Sequence, residues 1–159
     1  MENKDLTELE KVEQEIADNG IELIHYPFKS KRLKGVYITN KENKYIALSK
    51  KVETESEKVC ILTEELAHHE VSSGNISDDK KAELSARFRG YNKLVGLKGL
   101  VSAYENNCNS LYEIAEHLNI TNEYLSEVLS AYETRYGISK KYKEYLIVFK
   151  PYFEIRKIA

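Results

Sequence analysis

The chain has 159 residues, of which 42% are hydrophobic and 31% are charged, and its formal net charge is −2. These values are typical of a globular protein, and we predict one domain over residues 1–159 because this length suffices for a single core. The small net charge excludes a general electrostatic attraction to nucleic acids or membranes. The chain also lacks a long apolar run and a secretory signal, so we expect a cytoplasmic protein whose two cysteines stay reduced.

The first part of the chain changes from a helical to an extended pattern. Apolar residues at helical spacing predict a helix from Asp5 to Ala17. Three extended segments follow, at residues 21–26, 35–39 and 44–48, and they predict a small antiparallel sheet. Such a sheet can cover the next helix, its edge strand can hold an extended peptide, and the two roles are compatible.

The next predicted helix, Glu53–Val71, carries side chains that can bind a metal ion or transfer a proton. Two side chains four residues apart lie one above the other, so Glu64 and His68 can bind the same cation. Glu65 would lie beside that cation and could accept a proton from a bound water. This is the arrangement of the zinc-peptidase motif His-Glu-x-x-His, with Glu64 in place of the first histidine. A solvated, charged helix face is the alternative explanation, and the helix dipole alone could account for His69.

A third helix is predicted to begin at the N-cap Ser77 and to carry Glu83 in its second turn. If it forms an antiparallel hairpin with the preceding helix, Glu83 and His68 lie level with each other. Glu83 would then complete a ligand set with Glu64 and His68, and the fourth position would stay open, as it does in catalytic zinc sites. Alternatively, Glu83 is a surface carboxylate paired with Arg87 at i+4. We group residues 21–95 as the sheet and its metal-binding helix pair.

Residues 100–137 have the outline of a helix-turn-helix. Ser110 and Glu113 form a capping box, and Asn119-Ile120-Thr121 forms the turn before a further helix. Between Glu105 and Thr134 there are six glutamates and no lysine or arginine. DNA binding draws much of its affinity from phosphate neutralisation, so we expect this part to bind protein or to serve as a scaffold, and not to bind DNA.

The C-terminal segment, residues 138–159, is basic. From Arg135 onward the chain holds seven basic and two acidic residues. The apolar run Tyr145–Phe149 predicts a strand within it. A solvated basic rim and a binding surface for an acidic partner both explain this composition.

These segments together resemble the ImmA/IrrE-type metallopeptidases, in particular their short phage and mobile-element members. The resemblance covers roughly residues 35–137 and rests on the order of five segments: Leu62-Thr63-Glu64-Glu65-Leu66-Ala67-His68-His69, then residues 72–76, 81–87, 110–121 and 132–137. It implies an α+β, mainly helical, zincin-like domain with a small antiparallel sheet and a helix-turn-helix-like C-terminal part.

The resemblance also implies an activity. The chain would be a zinc-dependent endopeptidase, a hydrolase that cleaves a helix-turn-helix repressor to release a prophage or mobile element. Glu65 would be catalytic, and Glu64, His68 and Glu83 would hold one zinc ion. Two carboxylates and one imidazole also suit Mn²⁺. The alternative is an inactive regulatory protein that sequesters a repressor or other partner, because Glu64 is compatible with either a variant site or a lost one.

Overall fold

The computed structural model describes residues 5–72 and 79–158. Its helices and strands follow one another in this order: α1 Glu8–Asp18, β1 Glu22–Tyr26, β2 Gly35–Thr39, β3 Lys44–Ser49, α2 Glu55–Ser72, α3 Asp79–Leu94, α4 Gly96–Glu105, α5 Leu111–Leu118, α6 Asn122–Tyr136, β4 Ser139–Tyr142, β5 Tyr145–Val148 and β6 Glu154–Lys157. The predicted helix cap Ser77 lies outside the described residues.

The predicted α+β class is confirmed, because the helices accompany two separate three-stranded sheets. Within the two described ranges, none of the helices combines the length and the apolar character needed to cross a lipid bilayer. The chain divides into two compact units, Met1–Gly90 and Tyr91–Ala159. The single domain expected over residues 1–159 stays a prediction.

The sheet of the first unit has the strand order β1-β3-β2. The predicted hairpin is present, since β2 and β3 pair antiparallel with Tyr37 opposite Ile46. β1 instead runs parallel to β3, with Ile24 opposite Ala47, so the sheet predicted to be antiparallel is mixed. The alternation of apolar residues specifies which face of a strand is buried, but it does not specify the direction of the neighbouring strand.

The core of the first unit fixes the orientation of α2. Helix α1 begins with a capping box, in which Thr7 Oγ1 accepts a hydrogen bond from the Glu10 N–H at 3.1 Å. On α2, a seam of apolar residues at helical spacing is at most 1% exposed, and these residues are Val59, Leu62 and Leu66. Leu62 and Leu66 share one core cluster with buried apolar residues of α1, of β3 and of the segments beside β1 and β3: Val12, Ile16, Ile46, Leu48, Ile21 and Val52. Burial of the seam leaves Glu64 and His68 on a separate stripe of the helix, where both are half-buried.

The second unit contains the predicted helix-turn-helix outline. Ser110 Oγ accepts a hydrogen bond from the Glu113 N–H at 3.1 Å and so caps α5. Asn119 ends that helix in the left-handed conformation, with φ of 55°, and Thr121 caps α6. The three strands that follow form an antiparallel sheet in the order β4-β5-β6. Strand β5 matches the strand predicted from residue 145 onward.

Candidate metal centre

The site predicted on α2 lies against an edge strand of the first sheet. Glu65 and His68 line one pocket of about 300 Å³ together with Gly35, Val36 and Tyr37 of β2. Because β2 is the last strand in the order β1-β3-β2, its outer edge has no neighbouring strand among the described residues. The pocket therefore places a carboxylate and an imidazole beside a backbone edge to which an extended peptide can pair.

Gly35 allows β2 to approach α2 closely. A Cβ atom built on Gly35 would lie 2.5 Å from Ile61 Cγ2 and 3.5 Å from Glu65 Cγ. The first distance is far below van der Waals contact, so with a larger residue either the Ile61 side chain or the strand would have to shift. The absence of a side chain at residue 35 therefore brings the backbone of β2 to the carboxyl group of Glu65.

The carboxyl group of Glu65 has a strongly altered acidity. The pKa of Glu65 is raised from 4.5 to about 7, mainly by burial. The nearby negative charges of Glu64 and Glu83 contribute to this rise, and a hydrogen bond from the Tyr37 backbone N–H opposes it. A general base works best when its pKa lies near the working pH. Glu65 thus has the acidity suited to proton transfer at neutral pH.

Two of the predicted metal ligands are bridged by one arginine. Arg87 Nε lies 3.2 Å from Glu64 Oε1, and Arg87 Nη2 lies 2.8 Å from Glu83 Oε1. The alternative interpretation of Glu83, an ion pair with Arg87 at i+4, is therefore confirmed. The bridge also brings Glu64 on α2 and Glu83 on α3 to the same cationic group.

The third predicted ligand is placed differently. His68 lines the pocket with Glu65, whereas Glu64 and Glu83 contact Arg87. Across residues 5–72 and 79–158, no three His, Cys, Asp or Glu side chains are arranged so that they could hold a metal ion. The ligand set Glu64, His68 and Glu83 therefore stays a prediction. These side chains suit a divalent ion. The carboxylates of Glu64 and Glu83 both contact the Arg87 guanidinium and could both contact a metal ion, and the imidazole of His68 is a common type of zinc ligand.

His69 connects the same helix to the edge strand. It is only 8% exposed, and its Nδ1 lies 2.9 Å from the hydroxyl of Tyr37, with the two rings in an edge-to-face contact. Burial lowers the pKa of His69, and the positive charge of Lys44 lowers it further. The position of His69 near a helix end does not reveal this role, because no feature of the sequence pairs it with Tyr37.

Comparisons of the chain with protein-family models, with curated proteins and with solved structures find no match. The resemblance to ImmA/IrrE-type metallopeptidases therefore stays a prediction.

Proposed function

We propose that this chain is a metal-dependent endopeptidase of the ImmA/IrrE type. One observation supports the proposal most directly, namely that Glu65 and His68 share a pocket against the edge strand β2. A peptidase that cleaves within a chain has to hold an extended segment and move protons at the scissile bond. The pocket offers a surface for the first task and a carboxylate for the second.

Glu65 is the general base in this proposal. Its carboxylate accepts a proton from the attacking water and later donates it to the nitrogen of the leaving amine. A pKa of about 7 makes both transfers accessible near neutral pH. The hydrogen bond from the Tyr37 N–H orients the carboxylate, because β2 and α2 are held together at Gly35.

Strand β2 is the substrate-binding edge. An extended segment that pairs with an exposed strand gains backbone hydrogen bonds, and its alternate side chains then point toward and away from the site. We expect the substrate to be a helix-turn-helix repressor encoded beside this chain. The scissile bond would lie in a segment of the repressor that can become extended.

Glu64, His68 and Glu83 are the residues that would hold the metal ion. Zinc is the expected ion, and Mn²⁺ is the alternative because two of the three ligands are carboxylates. When bound, the ion supplies Lewis acidity at the scissile carbonyl. Arg87 would have to leave at least one of the two glutamates before these three side chains could converge.

The test uses the full chain loaded with one equivalent of zinc and mixed with the neighbouring repressor. We expect cleavage that a chelator abolishes, and that Glu65→Gln reduces by about 10²- to 10⁴-fold while zinc binding persists. Glu70→Gln is the matched control, because Glu70 lies on the same helix and pairs with Arg89, outside the pocket. Near-parental cleavage by Glu65→Gln would show that another group is the base.

A second candidate function is a regulatory protein that binds a repressor without cleaving it. The observation that favours it is the Arg87 bridge, which offsets the charges of Glu64 and Glu83 without a metal ion. Such a protein would form a stable complex with the repressor, with neither a zinc equivalent nor cleavage products. Zinc stoichiometry and gel analysis of the mixture separate the two functions.

A further inference from the structure

The guanidinium of Arg87 uses two different nitrogens to contact two different carboxylates. Nε pairs with Glu64 at 3.2 Å, and Nη2 pairs with Glu83 at 2.8 Å. The side chains are 46% exposed for Arg87, 30% for Glu64 and 50% for Glu83. Solvent can therefore reach the bridge, and the arginine can leave it without unfolding the helices.

The same region concentrates negative charge. Glu65 lies close enough to Glu64 and Glu83 for electrostatic repulsion from both carboxylates to act on it. Three carboxylates in one small region repel one another, and a cation placed among them reduces that repulsion. Arg87 provides such a cation from within the chain. A divalent ion would perform the same role with twice the charge, but it needs the glutamate oxygens that Arg87 contacts.

We propose that Arg87 is a built-in counter-ion that holds Glu64 and Glu83 in the metal-free chain and competes with the metal ion for them. This inference rests on the proposed function, because it takes these glutamates as metal ligands. Metal entry then has to break at least one of the two ion pairs. The metal affinity of the parent chain should therefore be lower than the affinity of the same ligands without Arg87.

A supporting role for Arg87 predicts the opposite result. Residues that orient metal ligands from outside usually strengthen binding, and their removal typically weakens metal affinity by about 10- to 100-fold. If Arg87 remained bound to Glu83 while the metal was present, its removal would have this effect. The sign of the change in zinc affinity therefore distinguishes competition from support.

The experiment compares zinc affinity in the parent, in Arg87→Met and in Arg89→Met by competition with a chromophoric chelator. Arg89 is the matched control, because it also lies on α3 and pairs with a glutamate of α2, Glu70, at 3.2 Å. Loss of two partly exposed ion pairs should tighten zinc binding by about 5- to 30-fold in Arg87→Met. Arg89→Met should stay within about twofold of the parent. High salt should reduce the difference between Arg87→Met and the parent, because it screens the ion pairs.

Arg87→Lys tests the geometry of the bridge. Lysine keeps one charge, but it lacks the planar fork that contacts two carboxylates at once. Its zinc affinity should therefore lie between those of the parent and Arg87→Met. This variant also provides a second measurement if Arg87→Met folds poorly.

The outcomes separate the two proposals. Zinc bound by Arg87→Met but not by the parent would support competition in its strongest form. Zinc bound by the parent, with equal or weaker binding by Arg87→Met, would overturn the competition and leave the proposed function standing. No zinc bound by any of the chains would overturn both.

Discussion

The acidity of Glu65 predicts how the stability of the metal-free chain depends on pH. Folding raises the pKa of Glu65 from 4.5 to about 7, so the folded chain binds this proton more tightly than the unfolded chain. The resulting stabilisation is fully present below pH 4.5 and is lost as the pH rises through 7. At about 1.4 kcal/mol per pKa unit, the loss is about 3 kcal/mol.

Glu65→Gln isolates this contribution. Glutamine keeps the shape of the side chain and an oxygen that can accept the Tyr37 N–H, but it carries no charge at any pH. The difference in unfolding free energy between Glu65→Gln and the parent should therefore grow by about 3 kcal/mol between pH 4.5 and pH 8. At pH 8 the variant should melt about 6–12 °C above the parent, given the usual shift for a chain of this length.

Urea denaturation followed by circular dichroism measures this difference on protein freed of metal beforehand. Equal m values in the two chains are the control, because they show that both expose the same surface on unfolding. A difference that stays constant within about 0.5 kcal/mol from pH 5 to pH 8 would refute the reasoning. It would mean that the Glu65 carboxyl group is not buried beneath β2.

Three further predictions concern the ligands, the edge strand and the partner. Glu64→Ala should weaken zinc binding, whereas Glu64→His should bind zinc at least as tightly as the parent. Equal zinc affinity for the parent and Glu64→Ala would contradict the assignment of Glu64 as a ligand. Gly35→Ala should lower the unfolding free energy by about 1–3 kcal/mol and slow cleavage, because the alanine Cβ would overlap Ile61. An unchanged melting curve would contradict the close approach of β2 to α2. Charge reversal of the exposed residues Glu116, Glu123 and Glu127 to lysine should slow association with a repressor, as measured by surface plasmon resonance. It should leave cleavage of a short unstructured peptide unchanged. Tight, salt-sensitive binding of duplex DNA by the unaltered chain would contradict the proposal that these glutamates contact protein.

Local sequence patterns predicted most of the elements that carry the site. The hairpin β2–β3 and the helix α2 follow from alternation, turn composition and helical spacing, all of which act over a few residues. The burial of Leu62 and Leu66 follows from the same spacing. The parallel pairing of β1 with β3 does not, because it joins segments about twenty residues apart in the chain.

The contacts within the site were harder to predict. The pair Glu83–Arg87 is local, and its i+4 spacing in the sequence indicates it as one of two alternatives. The bond from Arg87 to Glu64 spans 23 residues and the bond between Tyr37 and His69 spans 32, so both depend on the packing of whole elements. The raised pKa of Glu65 has the same origin, since it requires β2 to cover the carboxyl group. Spacing within one helix identifies candidate ligands, but it does not identify the groups that neighbouring elements bring to them.

Glu64 and Arg87 are best understood as parts of one charge balance. A histidine at position 64 would leave two carboxylates near the pocket, whereas Glu64 makes three. Arg87 offsets part of that charge, and partial protonation of Glu65 near pH 7 offsets another part. If a divalent ion replaced the guanidinium, the added positive charge would lower the pKa of Glu65 and convert it to the basic form. Binding of the ion and ionisation of Glu65 would then favour each other, because such coupling is reciprocal. Under the proposed function, the glutamate at the first position would add a carboxylate whose charge raises the pKa of Glu65 until a metal ion offsets that charge.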